Sequence, residues 1–515
     1  MKISRTLRPA GRLLTVCALG ALGALGALGV HRTAAAQGYD PVIFSFATVG
    51  DSRQDPKKPD PTTFLTNPNP ATQGGMPSFS GAVLPQDQTW LQNSAAWSVI
   101  QQGVVAQGAQ LLFFNGDMIF GYGRPIMPTV WTGLPVTWKA PITSTVLAAQ
   151  TNGSIYPDAF FEYIQYAYWR GTVSSLFNSG TYVIPVPGNH ETQCNATANP
   201  YSSSSPNPNC STTTNGGKQA WPENENAFRA NMGDLIQDLV GNLRFSNVSG
   251  VFATNVTGLT VASSPGPTST PCSSPGVTSS TCAYTAGNTA NNGTLNDTQQ
   301  ELDYSFDVVP PNSTVMLHFA VINTDPSGAD QTPPADWLAG DFAAAAARAQ
   351  AGNYTAKYFV FGHKPAFTYN YIGTAPPVAA GGLDANSSLT FRNLFWHTIV
   401  QYNATYFSGH EHIPNVQQFA DPTPGTPLTN KAYQVLMGSG GSPFDDAMAG
   451  TAPNYTEPPQ AANTDRYYAW ALVQVHQSGA VTLNISGFPD TGIGGAVYDL
   501  RNYDVPGAVF SGNLQ

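Results

Sequence analysis

The stretch AQLLFFNGD, residues 109–117, decides how the rest of the chain is read. Leu111 to Phe114 are apolar without a break, then Asn115 and Gly116 lead straight into Asp117. A short unbroken apolar run reads as a strand buried on both faces. Glycine just before the acid permits a sharp turn and keeps a side chain out of the space beyond the strand end. Open α/β sheets deliver their ligands from such carboxyl ends. An Asp after a strand is nevertheless most often a turn residue. What matters is whether other strands end the same way.

Four others do. PVIFSFATV (41–49) runs into Gly50-Asp51, and TYVIPVPGNH (181–190) into Gly188-Asn189-His190-Glu191. KYFVFGH (357–363) ends on Gly362-His363, and ATYFSGH (404–410) opens Gly409-His410-Glu411-His412. Helical spacing separates these runs at 89–107, 158–177, 335–350 and 389–401. The alternation predicts parallel strands covered by helices on both faces. Further strands are expected at 302–309 and 314–325, and a hairpin in YYAWALVQVHQSGAVTLNISGF turns near Ser478-Gly479. Pro185 and Pro187 push the 181–190 strand toward a sheet edge or an early end.

Residues 1–36 read as a segment outside the fold. Lys2, Arg5, Arg8 and Arg12 precede the uncharged Leu13–Val30 run, and small residues follow up to Ala36. That is the three-part pattern of a secretory signal, with an uncleaved anchor as the alternative. Export to a secreted or periplasmic location is expected, without a stable membrane anchor. Removing the segment takes away five basic residues and no acids, lowering a formal charge that is already −10. So acidic a chain is not expected to have nucleic acid as a bulk partner, because phosphate contacts need Lys and Arg. An anionic small substrate would need a strong local positive charge. The sequence carries no signal of oligomeric state.

Cys194, Cys210, Cys272 and Cys282 remain after the leader. An even number in an exported chain reads as two disulfides. Spacing suggests Cys194 with Cys210 and Cys272 with Cys282, and three connectivities are open. All four lie in the Ser/Thr/Asn-rich stretch 191–300, where only NENAFRANMG (224–233) looks helical. The stretch is read as an insertion within a 37–515 catalytic domain, either over the site or as a surface loop.

Five strand ends could thus bring Asp51, Asp117, Asn189, His190, His363, His410 and His412 to one place. Oxygen and imidazole donors without thiolate suit Zn, Mn, Fe or Mg. Four of the seven histidines beyond residue 36 fall in these turns. His318 and His476 lie inside strands and His397 on a helix, where they read as satisfied structural residues.

In order, GDSR, GD, GNHE, GHKP and GHEH resemble the signature of the calcineurin-like metallophosphoesterases, over about residues 42–475. ELDYSFDVV, VINTD and GHKPAF are most similar to the purple-acid-phosphatase-like branch. The resemblance implies an α/β fold of two mixed β-sheets packed as a sandwich with flanking helices. It implies two divalent or trivalent ions and hydrolysis of a small-molecule phosphate ester by a metal-bridging hydroxide. Asp117 would bridge the ions, Asp51 and His412 would hold the first, and Asn189, His363 and His410 the second. His190 would face the leaving group, with Glu191 orienting it from behind. Phosphate monoesters are the expected substrates. The alternatives are diesters of nucleotides or lipid headgroups, or a degenerate site that only binds phosphorylated ligands.

Arg53 departs from the family pattern, which has a histidine there. Arginine stays protonated and does not ligate. The tyrosine that the purple acid phosphatases place three residues after the GD aspartate is Phe120 here, and Tyr122 is out of register. The first ion then has Asp51, Asp117 and His412, with Gln54 as a candidate fourth ligand. Arg53 reads either as a phosphate clamp or as an ion-pair partner of Asp55 or Asp87.

Overall fold

The computed structural model describes residues 40–53, 93–123, 156–195, 218–236, 251–257, 302–326, 331–368, 382–383, 389–425, 427–442, 467–489, 498–499 and 514–515. Residues Pro41–Gln515 form one compact unit. The leader expected at 1–36 lies outside the described residues, as do Gln54, Asp55, Asp87, Cys210, Cys272 and Cys282.

The run at 109–117 forms a strand, β2 (Leu111–Asn115), all of it buried. It sits between β1 (Val42–Val49) and β3 (Tyr182–Val186), parallel to both. The three carboxyl ends therefore lie at one edge. β3 is the last strand of its sheet and stops before Pro187, so both expectations from its prolines are met. On the other side β1 pairs antiparallel with β13 (Tyr467–His476). β14 (Val481–Pro489) and β15 (Tyr498–Asp499) continue outward. The β13–β14 hairpin turns at Gly479, whose φ is +87° and whose N–H donates to the His476 carbonyl.

The second sheet holds β6 (Val251–Thr257), β7 (Tyr304–Val308), β8 (Val315–Val321), β9 (Thr355–Phe361), β10 (Thr405–Ser408), β11 (Pro414–Ala420) and β12 (Lys431–Met437). Its order is β11-β12-β10-β9-β8-β7-β6. The central strands β8, β9, β10 and β12 are parallel, and the outer ones antiparallel. The wholly parallel arrangement read from the apolar runs thus holds for β1–β3 at one edge of the first sheet and for β8, β9, β10 and β12 within the second. The two mixed sheets with outer helices implied by the family resemblance are the architecture observed.

Period-two alternation on β8 shows how the layers form. Val315, Leu317, Phe319 and Val321 face the core between the sheets, while Met316, Ala320 and Ile322 face the helices Ala335–Gly352 and Thr390–Gln401. The inter-sheet core is dominated by phenylalanine. Phe113 stacks on Phe361 with ring centroids 3.6 Å apart, and Phe46 meets Phe319 at 5.2 Å and Phe359 at 5.0 Å. Such ring pairs each contribute about 0.5–1.5 kcal/mol beyond their area.

Some elements differ from the sequence reading. The helix expected over 158–177 breaks into Tyr156–Thr172 and Ser174–Asn178. The polar segment PNVQQFA forms β11, an edge strand whose half-exposed face has no apolar alternation to betray it. Inside 191–300 a two-stranded ribbon, β4 (Gln193–Asn195) with β5 (Lys218–Ala220), follows directly on the GNHE turn. The helix Pro222–Ile236 then buries Phe228, Met232 and Ile236 in the inter-sheet core cluster. These described elements are packed against the rest of the domain. Cys194 is disulfide-bonded, and the suggested pairings fall outside the described residues.

Candidate metal centre

Each sheet supplies half of the site. Asp51 follows β1, Asp117 follows β2 and Asn189 follows β3 in one sheet, while His363 follows β9 and His410 and His412 follow β10 in the other. The turns that carry them are tight. Asp51, Asp117 and His410 have φ of 61°, 56° and 74°, in the left-handed region that disfavours L side chains. Gly116 is required for close approach, since a Cβ there would lie 2.5 Å from His363 Nδ1. At Gly409 a Cβ would lie 2.4 Å from Asp51 Oδ2.

Hydrogen bonds around the rim fix which atoms point inward. His363 Nδ1 donates to the Asn115 carbonyl at 2.7 Å, leaving Nε2 to face the site. Asn189 Nδ2 donates to the Tyr122 hydroxyl at 2.6 Å, which turns Oδ1 inward. Inside, His363 Nε2 lies 2.8 Å from Asn189 Oδ1 and 3.2 Å from Asp117 Oδ1. His410 Nδ1 lies 3.0 Å from Asn189 Oδ1 and 3.2 Å from His363 Nε2. Burial first, then the neighbouring His363, hold the His410 imidazole well below its usual range, in the neutral form a ligand needs. Lone pairs therefore face lone pairs. Ligand atoms about 2.1 Å from one ion are roughly 3 Å apart on adjacent octahedral positions, and these separations fit that edge.

The other half of the site is looser. Asp51, Asp117 and His412 offer atoms that lie within 4.8 Å of one another. Asp51 Oδ2 accepts from the His410 amide at 3.0 Å, while the fully buried Oδ1 has no hydrogen-bond partner and stands 3.5 Å from His412 Nε2. A buried carboxylate oxygen without a partner is costly unless a cation completes it. The donor set therefore fits metal.

Arg53 is buried beside it and donates from Nε to Asp117 Oδ2 at 3.2 Å. Of the two expectations for Arg53, an ion pair is present, with Asp117, while Asp55 and Asp87 lie outside the described residues. Burial alone would raise the Asp117 pKa. The His190, His363, Arg53 and His410 side chains reverse this and hold it well below the usual carboxylate range.

His190 donates from Nδ1 to the Phe120 carbonyl, so Nε2 is the nitrogen left to act, 3.7 Å from Asp117 Oδ2. Burial first, then the Arg53 charge, hold this imidazole well below its usual pKa. Glu191 does not orient it. The Glu191 carboxylate accepts from the backbone N–H groups of Gly188 and Asp117, both at 2.8 Å, and of Met118 and Ile119 at 2.7 and 3.1 Å. It pins the GD turn against the GNHE turn. Its hydrogen bonds among the described residues thus support the turns that carry His190 and Asp117. Burial and the Asp117 charge push Glu191 up to about 7, and the amide donors pull against that shift.

Tyr122 is the residue that register counting misses. Gly121 and Tyr122 have φ of 53° and 64°, and Gln165 Oε1 accepts from the amides of Phe120 and Gly121. This tight bend returns the Tyr122 ring to within 3.7 Å of the His190 ring. The GYG triplet at 121–123 was the available signal, since glycines on both sides of an aromatic mark a backbone able to fold back.

The remaining histidines are satisfied. His318 lies between Asp307 at 2.7 Å and Asp341 at 2.8 Å, His397 bonds Asp421 at 2.8 Å, and His476 bonds Thr482 at 3.1 Å.

No protein-family model matches the chain, and no curated protein matches it. Among solved structures it is similar to PhoD, at 10% identity and a TM-score of 0.40 over 88% of this chain and 68% of that one. It is similar to a dimetal phosphatase from Danio rerio, at 10% identity and a TM-score of 0.36 over 87% and 97%. It is also similar to GAP50, the anchor in the inner membrane complex of Plasmodium, at 9% identity and a TM-score of 0.30 over 88% of each. Likenesses at this level carry no inference about activity. Among the described residues no helix is long and apolar enough to cross a membrane.

Proposed function

We propose that the protein is an exported, metal-dependent phosphoesterase that hydrolyses phosphate monoesters. The observation that carries this reading is the convergence of Asp117, Asn189, His363 and His410 on one point through atoms 2.8–3.2 Å apart. Asn189, His363, His410 and Asp117 would hold one ion, and Asp51, His412 and Asp117 the other. When bound, such ions supply Lewis-acid charge to phosphoryl oxygens and lower the pKa of a water.

The chain's own residues have separable tasks. Arg53 sets a guanidinium, held through Nε to Asp117, beside the ligand set, where its charge would attract phosphoryl oxygens. His190 holds Nε2 free for the leaving-group oxygen, and its ring is kept in place by the Phe120 carbonyl and the Tyr122 face. Glu191 holds the GD and GNHE turns at fixed separation. Passage through residues 1–36 as a secretory signal belongs to the same proposal.

The test compares p-nitrophenyl phosphate with its bis ester on purified protein. Turnover of the monoester should exceed that of the diester, stop on chelation and return with added divalent metal. His190→Ala should lower turnover by about 10²–10⁴ with metal content kept. Activity that survives chelation sinks the metal reading, and faster diester turnover sinks the monoester reading.

A further inference from the structure

Among the described residues three cations stand near the centre, and they are not equivalent. Arg53 pairs with Asp117, and Lys364 donates from Nζ to Asp325 at 2.6 Å. Lys218, on β5, makes no ion pair or hydrogen bond among the described residues. Its Nζ stands 5.6 Å from the centroid of the Tyr122 ring. That ring lies against His190, 3.7 Å away between centroids. Lys218, Tyr122 and His190 thus follow one another, ammonium to phenol ring to imidazole. The Lys218 charge reaches His190 and His410, and those of Arg53, Asp117 and Asp325 reach Lys218 in turn. Burial, then the Arg53 charge, lower the Lys218 pKa. A cation face-on to an aromatic ring is only partly compensated for its lost hydration, and a repelling guanidinium nearby worsens the position. An anion arriving from outside would complete it.

We propose that Lys218 binds a second anionic group, phosphate or carboxylate, carried on the leaving-group side of the substrate. The inference rests on the phosphoesterase reading and adds the class of ester to it. A leaving group bearing its own negative charge is selected over a neutral one, in a protein whose overall charge of −10 would otherwise repel it. β5 pairs with β4, which continues from the GNHE turn, so the ammonium is carried by backbone tied directly to the catalytic turn.

The experiment uses the full, metal-loaded chain and three substrates: p-nitrophenyl phosphate, 4-carboxyphenyl phosphate and inorganic pyrophosphate. Lys218→Met should raise KM about tenfold for at least one doubly anionic substrate, as expected for loss of a charge-assisted contact. The KM for p-nitrophenyl phosphate should stay within about twofold, and Lys218→Arg should restore most of the difference. Whether carboxylate or pyrophosphate responds identifies the anion. Equal shifts for all three, or none, overturn the proposal. Calorimetric titration of pyrophosphate into wild type and Lys218→Met separates this outcome from failure of the phosphoesterase reading. If no substrate turns over, weaker binding by the variant still supports the anion site, and equal binding removes it.

Discussion

Two buried clusters of histidine and aspartate can be set side by side in this molecule. Around His318 both ring nitrogens meet a carboxylate. Asp307 also accepts from Arg348 at 2.6 Å, and Asp341 from Ser305 at 2.8 Å. Around His363 the inward nitrogen meets the oxygens of Asn189 and Asp117 and a second imidazole, while Asp51 Oδ1 has no hydrogen-bond partner and stands 3.5 Å from His412 Nε2. Residue types and burial are alike, but the accounts of protons differ. The first cluster is complete as protein, because each ring nitrogen and each carboxylate oxygen has a hydrogen-bond partner. The second brings nitrogen and oxygen donors of the kind metals take within 2.8–3.2 Å of one another, an arrangement that a bound metal would complete. Satisfied polar clusters hold a fold together, whereas an unsatisfied one is kept for what it binds.

Asp117 should give the largest effect. Asp117→Asn removes the shared carboxylate charge and should cut turnover by about 10³-fold or more, with metal per chain falling in elemental analysis. A variant that retains its metal and activity would show that the second cluster is not what it has been taken to be.

His318 tests the other side. Burial opposes its protonation, but Asp341 and Asp307 overcome that and raise its pKa to about 9. A pKa raised in the folded state stabilises fully below the ordinary value near 6.5, and the gain is lost as pH rises through 9. The shift corresponds to about 3 kcal/mol. Denaturant unfolding of His318→Gln should therefore show a deficit of about that size at pH 6 that closes above pH 9. Its metal content should match wild type at every pH. A pH-independent deficit would mean the imidazole is packed but uncharged.

Arg53 should give the smallest effect, because it sits in the second cluster but is no ligand. Arg53→Ala should raise KM for a phosphate ester by about tenfold with metal retained. Unchanged KM with lost metal would make the guanidinium a structural stand-in for an ion, and Arg53→His would then increase occupancy of the Asp51–His412 half.

Much of this was legible because strand ends in a parallel sheet are predictable from local pattern. The apolar runs before Asp51, Asp117, His363 and His410 needed no tertiary information, and the site they deliver follows from parallel pairing. What was hidden depends on contacts between segments distant in sequence. Arg53 and Asp117 are 64 residues apart, and nothing local to either predicts the pair. Glu191 looked like a neighbour of His190, yet its partners lie 72 to 74 residues away except for Gly188. Tyr122 was hidden by counting along the chain, since two consecutive left-handed residues undo the register. β11 was hidden because edge strands need no apolar face.

The phenylalanine layer between the sheets has a geometric consequence. Phe113 lies four residues before Asp117 on one sheet, and Phe361 lies two residues before His363 on the other. Their rings stack at 3.6 Å. The thickness of that aromatic layer is therefore also the spacing between the two halves of the ligand set. The core acts as a calliper: a change in ring size there would change the span between the Asp117 and His363 turns.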